Sequence, residues 1–256
     1  MPKAEPLGAT VVVTRPAHQA DGLCQLVEQH GGTALRFPVL DITGPDDEAS
    51  VVAMIQRLAE FDMAIFISPN AVQWGMRLAG ALPPALKIAA VGKGSARELM
   101  QRGIEPDIFP SQQFNSEALL AMDAMRDVTD QRIVIFRGVG GRELLADTLR
   151  ERGAAVEYLE CYRRVQPDVD PAILTEPLQQ GAVDIVIVTS NEGLENLLAM
   201  AGDQAAEQLL TLPLIVVSER SRDRARQLGF RGEVIIAQQP SDQGLIDAVL
   251  QWKARQ

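Results

Sequence analysis

The chain has 256 residues, of which 46% are hydrophobic, and a formal net charge of −10. This composition indicates a globular protein with one large or two small cores, and the absence of a Lys/Arg-rich run argues against a nucleic-acid binder. No apolar run approaches the roughly 20 residues that a membrane helix needs, and the first residues lack the apolar region of an export signal, so we expect a cytoplasmic protein.

Short apolar runs alternate with amphipathic patterns along the chain. Four strands are predicted in the first part of the sequence, at 10–14, 33–37, 62–68 and 87–91. Helices are predicted after the first, third and fourth of these strands, the last two from about Asn70 and Gly94. The apolar runs are continuous, as expected for strands that are buried on both faces of a parallel sheet. The predicted class is therefore α/β, with helices flanking mostly parallel sheets.

The sequence contains an internal repeat. "VVVTRP" at Val11 matches "IVIFRG" at Ile133, an offset of 122 residues, and "DMAIFISPNA" at Asp62 matches "DIVIVTSNEG" at Asp184 with the same offset. Near the end of each copy the offset becomes 126, which a small insertion explains. The pattern predicts duplication of a unit of about 110 residues, the size of one domain, and therefore two similar lobes.

The repeat also helps to interpret single residues. Cys24 and Cys161 are matched by Ala146 and Val39 in the other copy, so we expect both cysteines to fill space in the core rather than to react. Two cysteines are too few for a disulfide framework or a zinc site, and no set of metal ligands is visible. The sequence therefore predicts no metal.

The carboxyl ends of the predicted strands are rich in Ser, Thr, Asn and Gly. Ligands bind at these ends in open α/β sheets, and such residues cap helices while leaving backbone N–H groups available to an anion. Capping alone explains any one of the serines, but six such junctions facing a common cleft indicate an anion site. Four further residues at the strand ends are ligand-binding candidates for the same reason: Arg15, Arg137, Gly138 and Arg142.

Other motifs are incomplete. "GVGGRE" at Gly138 lacks the full G-x-G-x-x-G spacing, and no acidic residue ends the next strand, so a nucleotide-dependent transferase is a weak alternative. No Ser/His/Asp set or close pair of acids is visible. The residues alone therefore predict anion-binding strand ends without an obvious catalytic group.

An ordered set of strings resembles the uroporphyrinogen-III synthase family. They are "VVVTRP", "FPVLDI", "AIFISPNAV", "AAVGKGSA", "FNSEALL", "IVIFRGVGGRELLADTLRERGA", "CYRR" and "VTSNEGLENLL". They extend over nearly the whole chain, from about Val11 to Val249. The resemblance implies two α/β lobes joined by a two-stranded linker that the chain crosses twice. Lobe 1 is then expected at 1–37 with 165–256, lobe 2 at 41–161, and the linkers near 38–42 and 160–164.

The resemblance also implies a reaction. Members of the family close the linear tetrapyrrole hydroxymethylbilane to uroporphyrinogen III, with inversion of ring D and loss of water, in haem biosynthesis. Such a lyase needs no cofactor because the electron-rich pyrroles drive departure of the hydroxyl. The unassisted substrate closes without inversion, so the enzyme must chiefly hold a conformation, for which anchoring donors suffice. The implied partners are the tetrapyrrole substrate and hydroxymethylbilane synthase, which passes this substrate on. The resemblance also implies that the protein is a monomer, and it implies neither a nucleic acid nor a membrane as a partner.

Finally, the resemblance implies site residues. Tyr162 in the second crossing is the implied catalytic residue, its O–H assisting departure of the hydroxyl; a tyrosine that only packs its ring stays open as the alternative. The implied substrate-binding residues follow the strand ends: Ser68, Asn70, Ala71, Lys93, Gly94, Ser95, Ser190, Asn191, Gly193, Ser218, Arg220, Ser221 and Ser241. For the whole chain, the alternative is a non-catalytic two-lobed module that binds a small polyanion.

Overall fold

The computed structural model describes residues 6–256. The chain forms two compact units. Lobe 1 consists of the described residues up to Asp41 together with Val165–Gln256, and lobe 2 consists of Ile42–Arg164. Each lobe contains one five-stranded sheet.

The elements follow one another in a regular strand–helix alternation. The first are β1 (Thr10–Val13), α1 (Ala17–Gln29) and β2 (Thr33–Arg36). The middle of the chain forms β3 (Asp41–Thr43), α2 (Glu48–Gln56), β4 (Met63–Phe66), α3 (Pro69–Ala79), β5 (Lys87–Ala90), α4 (Lys93–Met100), α5 (Ser116–Ala121), β6 (Arg132–Gly138), α6 (Leu144–Glu151) and β7 (Ala155–Val165). The last are α7 (Ala172–Gln179), β8 (Ile185–Ile187), α8 (Asn191–Leu209), β9 (Leu214–Val216), α9 (Glu219–Gln227), β10 (Val234–Ile236) and α10 (Asp242–Lys253).

Both sheets are mostly parallel: the pairs among β1, β2, β8, β9 and β10 in lobe 1 and among β4, β5, β6 and β7 in lobe 2 are parallel. The strand order is β10-β9-β8-β1-β2 in lobe 1 and β3-β7-β6-β4-β5 in lobe 2. In lobe 1, Val11 lies opposite Ala34 on one side and Ile185 on the other, with both neighbours parallel to β1. The structure confirms the predicted α/β class. The four predicted early strands are each slightly shorter than the apolar runs, which continue into the loops.

The repeat explains why the two sheets have matching orders. At the offset of 122, β4 matches β8 and β1 matches β6, and the later offset matches β5 with β9. Both sheets then have the same core order, with β10 at one edge of lobe 1. The equivalent of its first residue, Val234, is Ile108, which makes only an isolated bridge to Ala89. Each lobe thus combines elements of both copies.

The strand side chains alternate between two apolar layers in lobe 1. Val12 belongs to one buried cluster, whereas Val11 and Val13 belong to the other. The first cluster includes residues of α7 and α8, and the second includes residues of α1 and α10. Because side chains of a strand point alternately to its two faces, both faces are covered, which explains the continuous apolar runs.

The two cysteines are buried and free. Cys24 and Cys161 have no exposed surface, which confirms their predicted place in the core. Burial raises the pKa of the Cys161 thiol to about 12 and also raises the pKa of Cys24. Within residues 6–256, no helix is long and apolar enough to cross a membrane, and no three His, Cys, Asp or Glu side chains are grouped so as to hold a metal ion.

Candidate functional site

The carboxyl edge of the lobe 2 sheet brings together residues from four strand ends. Parallel strands end at the same edge, so the segments after β4, β5 and β6 meet there beside the end of β7. A hollow of about 230 Å³ opens at this edge. Four of the predicted site residues line it: Arg137, Gly138, Arg142 and Tyr162.

Tyr162 is aimed by an irregularity in the pairing of β6 with β7. Arg137 lies opposite Glu160, but Gly138 lies opposite Tyr162, so Cys161 is an extra residue in β7. Such a bulge shifts the alternation of side chains, and Cys161 and Tyr162 are accordingly both buried. The Tyr162 ring lies directly over Gly138, where an added Cβ would be 2.6 Å from a ring carbon. Only glycine therefore fits beneath this ring.

Ser68 connects α3 to Tyr162. It has extended backbone before Pro69, the first residue of the helix, and its Oγ accepts the N–H of Ala71 at 3.0 Å. The same oxygen is 3.1 Å from the hydroxyl of Tyr162. Asn70 is half-buried in the first turn. The cap thus stabilises the start of the helix and pairs two hydroxyls at the sheet edge.

The predicted residues after β5 form the first turn of α4. Gly92 precedes the helix and offers no side-chain cap, whereas the ammonium of Lys93 lies 4.3 Å from the centre of the Phe114 ring. Gly94 packs against Pro69, where a Cβ would be 2.8 Å from a ring carbon. Ser95 is buried in the helix. Close packing of α3 on α4 explains the glycine without a ligand.

Arg137 is placed differently from the expectation of an open anion site. Its side chain is 2% exposed, and its guanidinium donates to the carbonyl oxygens of Gly138 and Gly140 and to Glu143. It also stacks on Tyr158, with 4.3 Å between the guanidinium carbon and the ring centre. Arg137 thus binds its own loop in this structure.

Arg142 is the exposed cation of the same loop. Its side chain is 68% exposed and pairs with Glu117 at 3.2 Å, an arrangement that holds the two residues only weakly in water. Three further polar side chains line the hollow and are not predicted from the sequence: Ser116, Tyr158 and Arg164. Arg164 is the second arginine of the quoted "CYRR" string, and its guanidinium carbon lies 6.0 Å from the Tyr162 ring centre.

In lobe 1 the predicted residues also lie at the carboxyl edge of their sheet. Arg15 follows β1, forms an ion pair with Asp242 and donates to the carbonyl oxygen of Pro240 at 3.1 Å. Three serines cap the helices after β8, β9 and β10. Their Oγ atoms accept the N–H of the third residue beyond, at 2.9, 3.1 and 3.2 Å, in the pairs Ser190–Gly193, Ser218–Ser221 and Ser241–Gly244.

The remaining predicted residues of lobe 1 lie in the first turns of these helices. Asn191 is half-buried and Gly193 is buried at the start of α8. In α9, Arg220 is exposed, whereas Ser221 is buried and its Oγ is 2.9 Å from that of Ser218. Because the first N–H groups of a helix have no partner within it, such starts bind anions well.

Fold and strand ends together define the class: a duplicated α/β protein with hydroxyl-capped helix starts at the edge of each sheet. A family model described as "Uroporphyrinogen-III synthase HemD" matches residues 21–247. The chain belongs to this family, and the resemblance found in the sequence is confirmed.

Relatives with this name are similar over most of their length. Uroporphyrinogen-III synthase of Escherichia coli (strain K12) is 29% identical over 245 residues, which cover 94% of this chain and 99% of that protein. The enzyme of the same name from Proteus mirabilis is 31% identical over 160 residues, 61% of this chain and 80% of that protein.

Solved structures show the same fold. A mutant uroporphyrinogen III synthase from the extremely thermophilic bacterium Thermus thermophilus matches with a TM-score of 0.64 at 22% identity, covering 95% of this chain and 99% of that chain. Uroporphyrinogen-III synthetase from Helicobacter pylori 26695 matches with a TM-score of 0.59 at 14% identity and the same coverage. At these identities the likeness establishes the architecture.

Proposed function

We propose that this chain closes hydroxymethylbilane to uroporphyrinogen III, with inversion of ring D and loss of water, as a cofactor-independent lyase. Membership of the family supports the reaction. Within the site, the observation that carries the proposal is the hydroxyl pair of Ser68 and Tyr162, 3.1 Å apart at the edge of the lobe 2 sheet. A pair of hydroxyls can donate a hydrogen bond to a departing hydroxyl.

The two hydroxyls have different access to a ligand. Tyr162 is 1% exposed, whereas Ser68 is half-buried. Ser68 Oγ already accepts the N–H of Ala71. When it also accepts the Tyr162 O–H, its own proton is available to the substrate. Ser68 then donates to the departing hydroxyl, and Tyr162 supports it from behind.

The proton balance of this step closes without a cofactor. Donation to the departing hydroxyl produces water and leaves a cation that the pyrrole nitrogen stabilises. The substituted carbon of ring D attacks this cation, and the spiro intermediate that forms then opens and recloses. The last closure restores the pyrrole by loss of one proton, which returns to the hydroxyl pair. The protein therefore supplies orientation and one proton that it regains.

We propose that the carboxylates of the substrate bind at the helix starts. Each lobe offers capped first turns at the edge of its sheet, led by Ser68 in lobe 2 and by Ser190, Ser218 and Ser241 in lobe 1. Helix N-termini favour anions through their free N–H groups and the helix dipole. The net charge of −10 does not oppose this binding, because local donors dominate the potential of a site.

We further propose that the protein works as a cytoplasmic monomer that takes its substrate from hydroxymethylbilane synthase. The short-lived substrate gives a physical reason for direct transfer, since in free solution it closes without inversion. Sedimentation of the purified chain with and without the synthase tests both points. Sedimentation of the chain alone as a dimer would contradict the monomeric state. Absence of association with the synthase during turnover would contradict direct transfer.

The test of the main proposal uses enzymatically supplied substrate. Hydroxymethylbilane synthase generates hydroxymethylbilane in the presence of this protein, and the products are oxidised and separated by isomer. We expect the type III isomer to dominate. If type I remains the sole product, the chain is not a synthase, and binding of hydroxymethylbilane without turnover would favour the non-catalytic module.

A further inference from the structure

A single guanidinium ties together the loop after β6. Arg137 donates to the Gly138 carbonyl at 3.2 Å, to Glu143 at 3.1 Å and to the carbonyl of Gly140. Its Nε also lies 3.9 Å from a carboxylate oxygen of Glu160. These contacts extend from Gly138, the last residue of β6, to Glu143, the residue before α6. Since the guanidinium fork is rigid and buried, it fixes the course of the loop.

The guanidinium is itself held from two sides. Tyr158 on β7 stacks on it and donates its hydroxyl to the second oxygen of Glu143. Glu143 therefore bridges the phenol and the guanidinium. These two donors, Tyr158 first, hold the pKa of the Glu143 carboxyl below its ordinary value, while burial and the bond to Glu143 raise the pKa of Tyr158.

The loop that this cluster holds is in contact with Tyr162. Gly138 lies under the phenol ring, and the N–H of Val139 donates to the carbonyl oxygen of Tyr162 at 2.9 Å. The bulge that aims Tyr162 begins between Arg137 and Gly138. Any displacement of the loop therefore moves the backbone at Gly138 and Val139 that contacts Tyr162.

We propose that Arg137, Glu143 and Tyr158 form a positioning cluster, which fixes the Gly138–Arg142 segment and thereby aims the Tyr162 hydroxyl at Ser68. The inference rests on the proposed function of the hydroxyl pair. It makes Arg137 a positioning residue instead of a ligand for a substrate carboxylate. Glu143 and Tyr158, which sequence patterns do not single out, act through the same contacts.

The test combines cluster variants with removal of the phenol hydroxyl. Glu143→Gln keeps the shape but removes the charge, and Tyr158→Phe keeps the stacked ring but removes the bond to Glu143. In the otherwise unchanged protein each should lower kcat between about 10- and 100-fold, as expected for a displaced catalytic group, with a smaller change in KM. In the Tyr162→Phe background the same changes should have almost no further effect on kcat, because the aim of an absent hydroxyl does not matter.

The duplication supplies a matched control. At the offset of 122, Glu143 is equivalent to Asp21 and Tyr158 to Arg36, and these two residues form an exposed ion pair in lobe 1. Asp21→Asn should leave kcat unchanged. Melting temperatures of all variants show whether a loss of activity reflects unfolding, and the fraction of type III product is measured in each case.

A second readout does not depend on turnover. Cys161 lies in the bulge, with its Sγ 3.5 Å from the Arg137 carbonyl oxygen. In a Cys24→Ala background, we expect Glu143→Gln to speed labelling of Cys161 by a thiol reagent several-fold, and Asp21→Asn to have no effect. Unchanged labelling, or equal losses of kcat with and without the Tyr162 hydroxyl, would overturn the inference. If the unchanged protein yields no type III isomer, the proposed function fails instead, while the labelling result still reports on the cluster.

Discussion

The two lobes contain an arginine at the same position of the repeat, with different partners. Arg15 follows β1 and pairs with Asp242 at the start of α10, whereas Arg137 is the next-to-last residue of β6 and pairs with Glu143 in the following loop. In lobe 2 the equivalent of Asp242 is Ser116, so the acid that Arg15 uses is missing. The duplicated frame thus keeps the cation at the strand end and changes what it binds.

A second pair of equivalent positions explains the change. In lobe 1, Asp21 forms its ion pair with Arg36, and Arg15 forms its ion pair with Asp242. In lobe 2 the arginine is replaced by Tyr158, a neutral donor, so Glu143 retains a charge for Arg137. One replacement thereby redirects the buried guanidinium to the loop beneath Tyr162. In lobe 2 the arginine at the strand end, Arg137, therefore binds a loop that contacts Tyr162, whereas in lobe 1 Arg15 binds Asp242.

The largest expected effect is on stability. Arg137→Met should destabilise the protein by about 1–3 kcal/mol, since it leaves the carbonyl oxygen of the buried Gly138 without its partner, whereas Glu143 is 52% exposed and remains solvated. Arg15→Met should cost only about 1 kcal/mol, because Asp242 is 34% exposed and water can solvate it. Urea unfolding of both variants measures the difference. Equal losses would mean that the two arginines are held alike.

The sequence predicts the frame of this comparison but not its outcome. Continuous apolar runs and the offset of 122 residues are local or linear signals, and they predict parallel sheets, equivalent strand ends and the cysteines as core residues. The partner of Arg137 is a tertiary fact. It depends on two features of lobe 2. The positions equivalent to the first turn of α1 form a glycine-containing loop before α6, and β7 has one extra residue. Neither feature is visible in the sequence before the strands are paired.

The next effect is on turnover. Tyr162→Phe should lower kcat about 100-fold or less, because a positioned donor contributes about 10²–10⁴-fold when it acts alone, whereas Tyr162 acts through Ser68 and the pyrrole nitrogen also drives departure of the hydroxyl. Its equivalent in the other copy is Leu40, so the shared fold has no need for the hydroxyl. We expect the type III isomer to remain dominant and the unfolding free energy to stay within error. Wild-type turnover would reduce Tyr162 to packing, and a change to type I product would make it a conformational anchor.

Equivalent helix caps separate stability from chemistry. Ser68 and Ser190 occupy the same position of the repeat and accept equivalent N–H groups at 3.0 and 2.9 Å. Ser68→Ala and Ser190→Ala should each destabilise the protein by about 0.5–2 kcal/mol. Only Ser68 also lies beside Tyr162, so its loss should reduce kcat more than that of Ser190. Parallel melting and kinetic measurements decide this; equal kinetic losses would leave capping as the whole role of both serines.

The smallest expected effect concerns pH and the extra residue of β7. Burial raises the pKa of the Cys161 thiol to about 12, above the value of roughly 8.5 for an exposed thiol. Between these values the unfolded chain loses a proton that the folded chain retains, so the contribution to stability is complete below about pH 8.5 and declines as pH rises towards 12. The loss should be about 1–2 kcal/mol at about pH 10.

The other copy provides the control for this prediction. The equivalent of Cys161 is Val39, which is also buried, so Cys161→Val supplies a side chain that the repeat already accepts at this position. This variant should lose less stability than the unchanged protein between about pH 8 and pH 10, by the amount that thiol ionisation contributes. Urea unfolding at both pH values measures it. Identical alkaline losses in the two proteins would mean that Cys161 is hydrated in the folded state, and that water reaches the bulge beside Tyr162.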